Sequence, residues 1–222
     1  MRAVRTSGSG MDPLRHARLS ANRRGGEAED YLALHAFFDT TKELCSDNRH
    51  RLLHNLWGIR RVVIPLFGAE IGITGGAGGA RVATKDVCEA DHVLADFSGK
   101  YLPTLADFTG AIAPIDGELA RFVEIQRAYA DDAVLQLLRS PYAVTGHVQS
   151  LLVTHNTWFL SEVLPRLHPT TRAIGMPDGV PPAELFQRMS FELWMDNGTV
   201  APPSAPTTIT TRRSGDGHVR HS

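Results

Sequence analysis

Thiol chemistry has almost nothing to work with in this chain. Its 222 residues hold two cysteines, Cys45 and Cys88, with no CxxC spacing. That excludes a zinc ribbon and a thioredoxin-type motif and leaves two buried free thiols as the expectation. Long apolar runs are missing as well: the best, VVIPLFG from Val62 to Gly68, is broken by Pro65 and falls far short of the roughly 18 residues a membrane span needs. The basic start, MRAVRTSGSG, has no apolar segment after it, so no secretory signal is expected and a cytoplasmic location is the default. No excess of one charge exists either. Lys and Arg total 23 against 24 Asp and Glu, a formal net charge of -1, which argues against general affinity for nucleic acid or anionic lipid. Aromatic residues are only 7% and are not interleaved with lysine or arginine, so no platform for stacking bases is expected.

Several catalytic signatures also fail. The Gly-rich TGGAGGAR, Thr74 to Arg81, ends in Ala80-Arg81 where a phosphate loop needs Lys-Ser/Thr, and Arg81 stands where a dinucleotide fingerprint needs its third glycine. A hairpin tip is the simpler reading. Ser150, Ser161 and Ser190 lack a G-x-S-x-G elbow. His147 and His155, with Asn156 and Trp158 nearby, read as the polar edge of a core helix.

What is present points to a mainly α protein, a helical bundle with a small β-hairpin insertion. The expected organisation is a disordered start at 1–10, a helical domain at 11–168, a loop with a C-terminal helix at 169–200, and a disordered tail at 201–222 whose Pro, Thr, Ser and Gly cannot bury enough apolar surface to order it. A first helix is expected from Glu29 to Cys45. A second is expected from the cap Asp47 to Ile64, stopped by Pro65 and Gly68. IGIT and RVAT predict two strands around the Gly-rich tip. Further helices are predicted from Lys85 to Phe97, after Pro103-Thr104, from Asp116 to Arg139, from Thr145 to Leu167 and from Pro182 to Asp196.

The polar residues that stand out lie in HAFFDTTKELCSDNRHRLLH, His35 to His54. At about 100° per residue, His35 and Asp39 share one border of the first helix's apolar face, and His50 and His54 share a border of the second. If the two helices fold back antiparallel, Asp39 and His54 come out level, with His50 one turn nearer the loop and His35 further away. Asp39, His50 and His54 form the best trio for a divalent metal ion, two imidazoles at i, i+4 plus a carboxylate. His92 is a possible fourth group, with Asp96 repeating the His-x3-Asp spacing of His35 and Asp39. His35 supports the ligands from behind, and Gly58 leaves room beside them. The same residues can instead form a hydrogen-bonded network across helices, as border histidines commonly do.

The run from EDYL through the His-x3-Asp at His35 and Asp39, Lys42, Arg49-His50-Arg51, His54 and Gly58 to His92, Asp96, Pro103 and Thr104 resembles an uncharacterised family of small bacterial and phage-associated proteins. The resemblance covers about residues 11–110 and includes His16. It implies that the polar positions belong to a recurring pattern. This chain departs from it with Leu14, Arg15 and Asn55, where the family carries further histidines, and with Phe108 in place of Trp. Two functions follow as expectations: a helical binding or accessory protein, with a His/Asp cluster for a divalent metal and C-terminal helices for a protein partner, or a metal-dependent hydrolase whose ion activates water, with His92 as a further ligand or base. No feature sets an oligomeric state.

Overall fold

The structure is a computed structural model that describes residues 11–43, 51–75, 79–110, 132–156 and 158–168. The expected disordered ends at 1–10 and 201–222, the loop and helix at 169–200, the Asp47 cap, Cys45, His50 and the hairpin tip at 76–78 lie outside them.

The chain is mainly α with one two-stranded sheet, as expected from the sequence. Helix α1 (Pro13–Arg24) was not among the expected elements, although it has a complete start signal: the Asp12 side chain accepts from Arg15 N and Pro13 fills the first position. Gly25 and Gly26, at φ 83° and 77°, turn it back into α2 (Ala28–Asp39). A Cβ on Gly26 would stand 2.6 Å from Asp30 Oδ2 and 2.8 Å from Ile73 Cβ, so this turn needs glycine twice over. Asp30 caps α2 through Glu27 N and also accepts from the backbone and hydroxyl of Thr74, tying the hairpin to the helix.

After a 3-10 turn at Thr40–Glu43, the expected second helix is corrected. Residues 51–55 form a buried turn, and α3 begins at Leu56, capped by Asn55, whose side chain accepts from Gly58 N. Leu52 and Leu53 suggested a helical stripe because a turn buried in the core needs apolar side chains just as a helix face does; both are essentially inaccessible. Gly58 is corrected too: a Cβ there would lie 2.5 Å from the Leu53 carbonyl oxygen, so it admits the buried turn rather than leaving space at a site.

Helix α3 is built from Leu56–Gly58, a π-helical Ile59–Val63 and Ile64–Phe67. Pro65 therefore does not end it. A proline ring clashes with the carbonyl four residues back, and the wider π turn just before Ile64-Pro65 relieves that clash. Helix α7 repeats the device: π-helical Phe159–Val163 precedes Leu164–Leu167, which contains Pro165.

Strands β1 (Glu70–Gly72) and β2 (Arg81–Ala83) pair antiparallel with Ile71 opposite Val82. Helix α4 follows as Thr84–Asp86, π-helical Val87–Val93 and Leu94–Asp96, ended by Gly99, whose N–H reaches the Leu94 carbonyl. Helix α5 (Leu105–Thr109) starts at a Thr104–Asp107 capping box.

The two long helices expected in the C-terminal half are shorter than read. Asp132 takes an extended conformation and caps α6 (Ala133–Thr145), accepting from Val134 N and Leu135 N, so no helix runs unbroken from 116 to 139. The second divides into a 3-10 segment, Val148–Val153, and α7. Asn156 accepts from Phe159 N as α7 begins. These elements share the core of the first half: Trp57 donates to Ser140 Oγ at 2.9 Å, and the Phe37 ring packs 6.0 Å from that of Trp158. No helix among the described residues is long and apolar enough to cross a membrane.

The contact at Gly58 is directly testable. Gly58→Ala forces a methyl into the Leu53 backbone and is expected to cost about 1–3 kcal/mol, read as a lowered urea midpoint with an unchanged m-value.

Candidate metal centre

Three segments meet beneath α1. Helix α2 presents His35 and Asp39 one turn apart on its buried face, the 51–55 turn presents His54, and α4 presents His92 and Asp96. All five side chains are buried; that of Asp39, the most accessible of them, is 5% exposed. Asp39, His54, His92 and Asp96 each turn one possible ligand atom toward the others, all four atoms lying within 4.8 Å of one another. His54 Nε2 stands 3.1 Å from His92 Nε2, 3.3 Å from Asp96 Oδ2 and 3.7 Å from Asp39 Oδ1, and His92 Nε2 lies 3.9 Å from Asp96 Oδ2.

Of the residues singled out in the sequence, Asp39, His54 and His92 are brought together, and His35 sits behind His92 with their Nδ1 atoms 3.0 Å apart. His50 lies outside the described residues. His54 reaches the cluster from a turn rather than from the helical i, i+4 pair that was expected with His50. Asp96 was noticed for its spacing and as part of the family resemblance, not as a ligand, and the structure puts it at the centre. His16 was named only through the family resemblance; from α1 it places Nε2 3.1 Å from Asp96 Oδ1 and Nδ1 2.7 Å from the Asp91 carbonyl. The signal that locates it is the Asp12-Pro13 helix start, which sets His16 on the buried face with Ala17 and Ser20.

The electrostatics are those of buried carboxylates ringed by imidazoles. Burial pushes the Asp96 carboxyl up, but His16, His54 and His92 outweigh it and hold it well below the carboxylate range. Asp39 behaves alike: burial raises it, and His54 with Lys42 brings it down. Lys42 Nζ lies 2.7 Å from Asp39 Oδ1, off the line of a hydrogen bond, and Asp39 Oδ2 has no hydrogen-bond partner among the described residues. Burial, then the neighbouring His54 and His16, keeps His92 well below the usual imidazole range. Burial and His16 lower His35 to about 3.

Nearby groups hold α1 in place. Asp91, fully buried on α4, pairs with Arg23 at 3.1 Å and with the Arg24 guanidinium. Met11 N donates to Asp96 Oδ1 at 3.2 Å. Away from the cluster, His155 is buried with Nδ1 2.9 Å from the Leu151 carbonyl, and Asn156 donates to Leu152 and Val153. Cys88 is a buried free thiol, its pKa raised by burial.

Residues 11–116 match the profile of DUF6915, a domain of unknown function. A domain of unknown function therefore occupies the part of the chain that carries the cluster, close to the span on which the family resemblance rests. No curated protein matches the chain, and no solved structure does. The profile says nothing of source, so a bacterial or phage setting stays an implication of the resemblance.

Burial lowers the His155 pKa to about 4, whereas an unfolded histidine titrates near 6.5. Below about pH 6.5 the unfolded chain takes up a proton that the folded chain refuses, so stability falls with pH until about pH 4. The full effect is on the order of 3 kcal/mol. His155→Asn, which keeps a donor for the Leu151 carbonyl, is expected to flatten the pH dependence of the unfolding free energy across that window; a slope equal to wild type would refute the assignment.

Proposed function

We propose that Asp39, His54, His92 and Asp96 hold one divalent metal ion, with zinc the best fit, and that its role is to fasten α2, the 51–55 turn and α4 together within a helical binding or accessory protein. The observation that carries this reading is the spacing of the four donor atoms. Four ligands around a tetrahedral zinc stand about 3.3–3.6 Å apart, given bonds of about 2.0–2.2 Å; four of the six separations here run from 3.1 to 3.9 Å, and all six lie within 4.8 Å. Charge supports it as well. Two carboxylates and two neutral imidazoles around a divalent cation sum to zero, the condition under which such groups are tolerated away from water.

Imidazole and carboxylate donors without thiolate occur in catalytic zinc sites, which is why water activation by the same ion is the alternative. A catalytic site keeps a position open, usually with three protein ligands. Here four protein donors converge and all are buried, which favours the fastening role over hydrolysis. A partner docked through the C-terminal helices would use the part of the chain from about residue 125 onward, much of which lies outside the described residues.

Elemental analysis of the purified full chain is expected to find about one zinc per chain, lost on His54→Ala and on Asp96→Asn. Zinc at about a thousand times its Kd should raise the unfolding free energy by about 4 kcal/mol, with no such gain in either variant. A chain that purifies without metal and gains no stability from zinc, manganese, iron or nickel would sink the reading.

A further inference from the structure

A second set of imidazoles, His16, His35 and His92, also brings three nitrogens within 4.8 Å, which invites a second ion. Ring orientation argues against one. An imidazole lone pair lies in the plane of its ring, so two rings that share an ion must direct their planes at a common point. His16 instead lies face to face on His92, with ring centres 4.1 Å apart and planes within 25°, so their lone pairs do not converge. Both nitrogens of His16 are also engaged, by the Asp91 carbonyl and by Asp96 Oδ1.

His35 and His92 meet differently. Their planes agree within 14°, but the ring centres stand 5.2 Å apart while the two Nδ1 atoms are only 3.0 Å apart. The rings therefore touch edge to edge through a nearly coplanar N–H···N bond. One hydrogen serves two facing nitrogens, and the hydrogen positions at the far ends decide which ring supplies it. His35 Nε2 lies 2.9 Å from Ser20 Oγ, and His92 Nε2 faces the four-donor cluster. If His35 Nε2–H donates to Ser20, neutral His35 has a bare Nδ1. That nitrogen accepts from His92 Nδ1–H, and the lone pair of neutral His92 is left on Nε2, aimed at the cluster. The opposite order would put hydrogen on His92 Nε2 and block it.

We infer that Ser20 and His35 are positioning residues: the chain Ser20–His35–His92 fixes the tautomer of His92 so that Nε2 presents its lone pair to the ion, while the faces of His16 and Phe38 clamp the His92 ring between them. Phe38 stacks on the other face at 4.4 Å and 22°. The ring has its faces covered and one nitrogen hydrogen-bonded, so binding an ion there requires neither rotation nor a change of tautomer. Such support of a ligating histidine is commonly worth about 10 to 100-fold in metal affinity. The inference rests on the proposed ion site for its consequence but not for its geometry, and the test separates the two.

In the full chain labelled with nitrogen-15 histidine, long-range proton–nitrogen spectra report the tautomer of each ring whatever the ion content. Hydrogen on Nδ1 of His92 and on Nε2 of His35 is expected; hydrogen on Nε2 of His92 would overturn the relay even if an ion binds elsewhere. Zinc or cobalt titration supplies the second arm. His35→Leu removes the acceptor and is expected to weaken binding about 10 to 100-fold at unchanged stoichiometry, and His35→Asn, whose Oδ1 can accept in place of Nδ1, is expected to restore most of it. A stoichiometry of two that falls to one in His35→Leu would make His35 a ligand and overturn the inference. So would an affinity that His35→Leu leaves unchanged. If wild type binds no ion, the proposed function fails and the spectra alone decide the relay.

Discussion

Two ionised carboxylates closed off from water, Asp39 and Asp96, set the terms for the rest of this domain. A buried carboxylate is tolerated only when donors or cations surround it, and no arginine is paired with either among the described residues. The compensation comes from His16, His54, Met11 N and Lys42. Each is delivered by a different stretch of chain: α1, the turn at 51–55, the residue just before the helical start, and the 3-10 turn. The local structure follows from this demand. Helix α1 must lie across α4 to bring His16 to Asp96, and the Asp91 pairs with Arg23 and Arg24 hold its far end there.

The departures from regular helix serve the same end. His54 reaches Asp96 from a tight turn that precedes Asn55 and is buried against Gly58. The π turn in α4 spans Val87–Val93 and so contains Asp91 and His92. Single π turns are frequent at functional sites, and here one accompanies the point at which a helix supplies both an ion-paired carboxylate and a clamped imidazole. The π turns in α3 and α7 have another cause, the proline that follows each.

Much of this was legible in the sequence where the signal is local. The hairpin between IGIT and RVAT, the end of α4 at Gly99, the Thr104 start of α5 and the mainly α class all follow from turn and cap chemistry. So did the meeting of Asp39 with His54, although the assumed route, a straight antiparallel helix pair, was wrong. Apolar periodicity cannot separate a buried turn such as Leu52-Leu53 from a helix face, which misplaced the start of α3. It also cannot register a π turn, although Ile64-Pro65 and Leu164-Pro165 mark two of them. Asp96 and His16 were visible as residues but not as neighbours, because their meeting depends on how α1 crosses α4, a long-range contact that no spacing along the chain encodes.

In the proposed centre, four donors from three distant segments converge on one ion. X-ray absorption at the zinc edge of the loaded full chain measures this most directly. The account requires four nitrogen or oxygen neighbours at about 2.0 Å, with outer-shell scattering from two imidazoles. A sulfur neighbour, or a shell without imidazole, would contradict it.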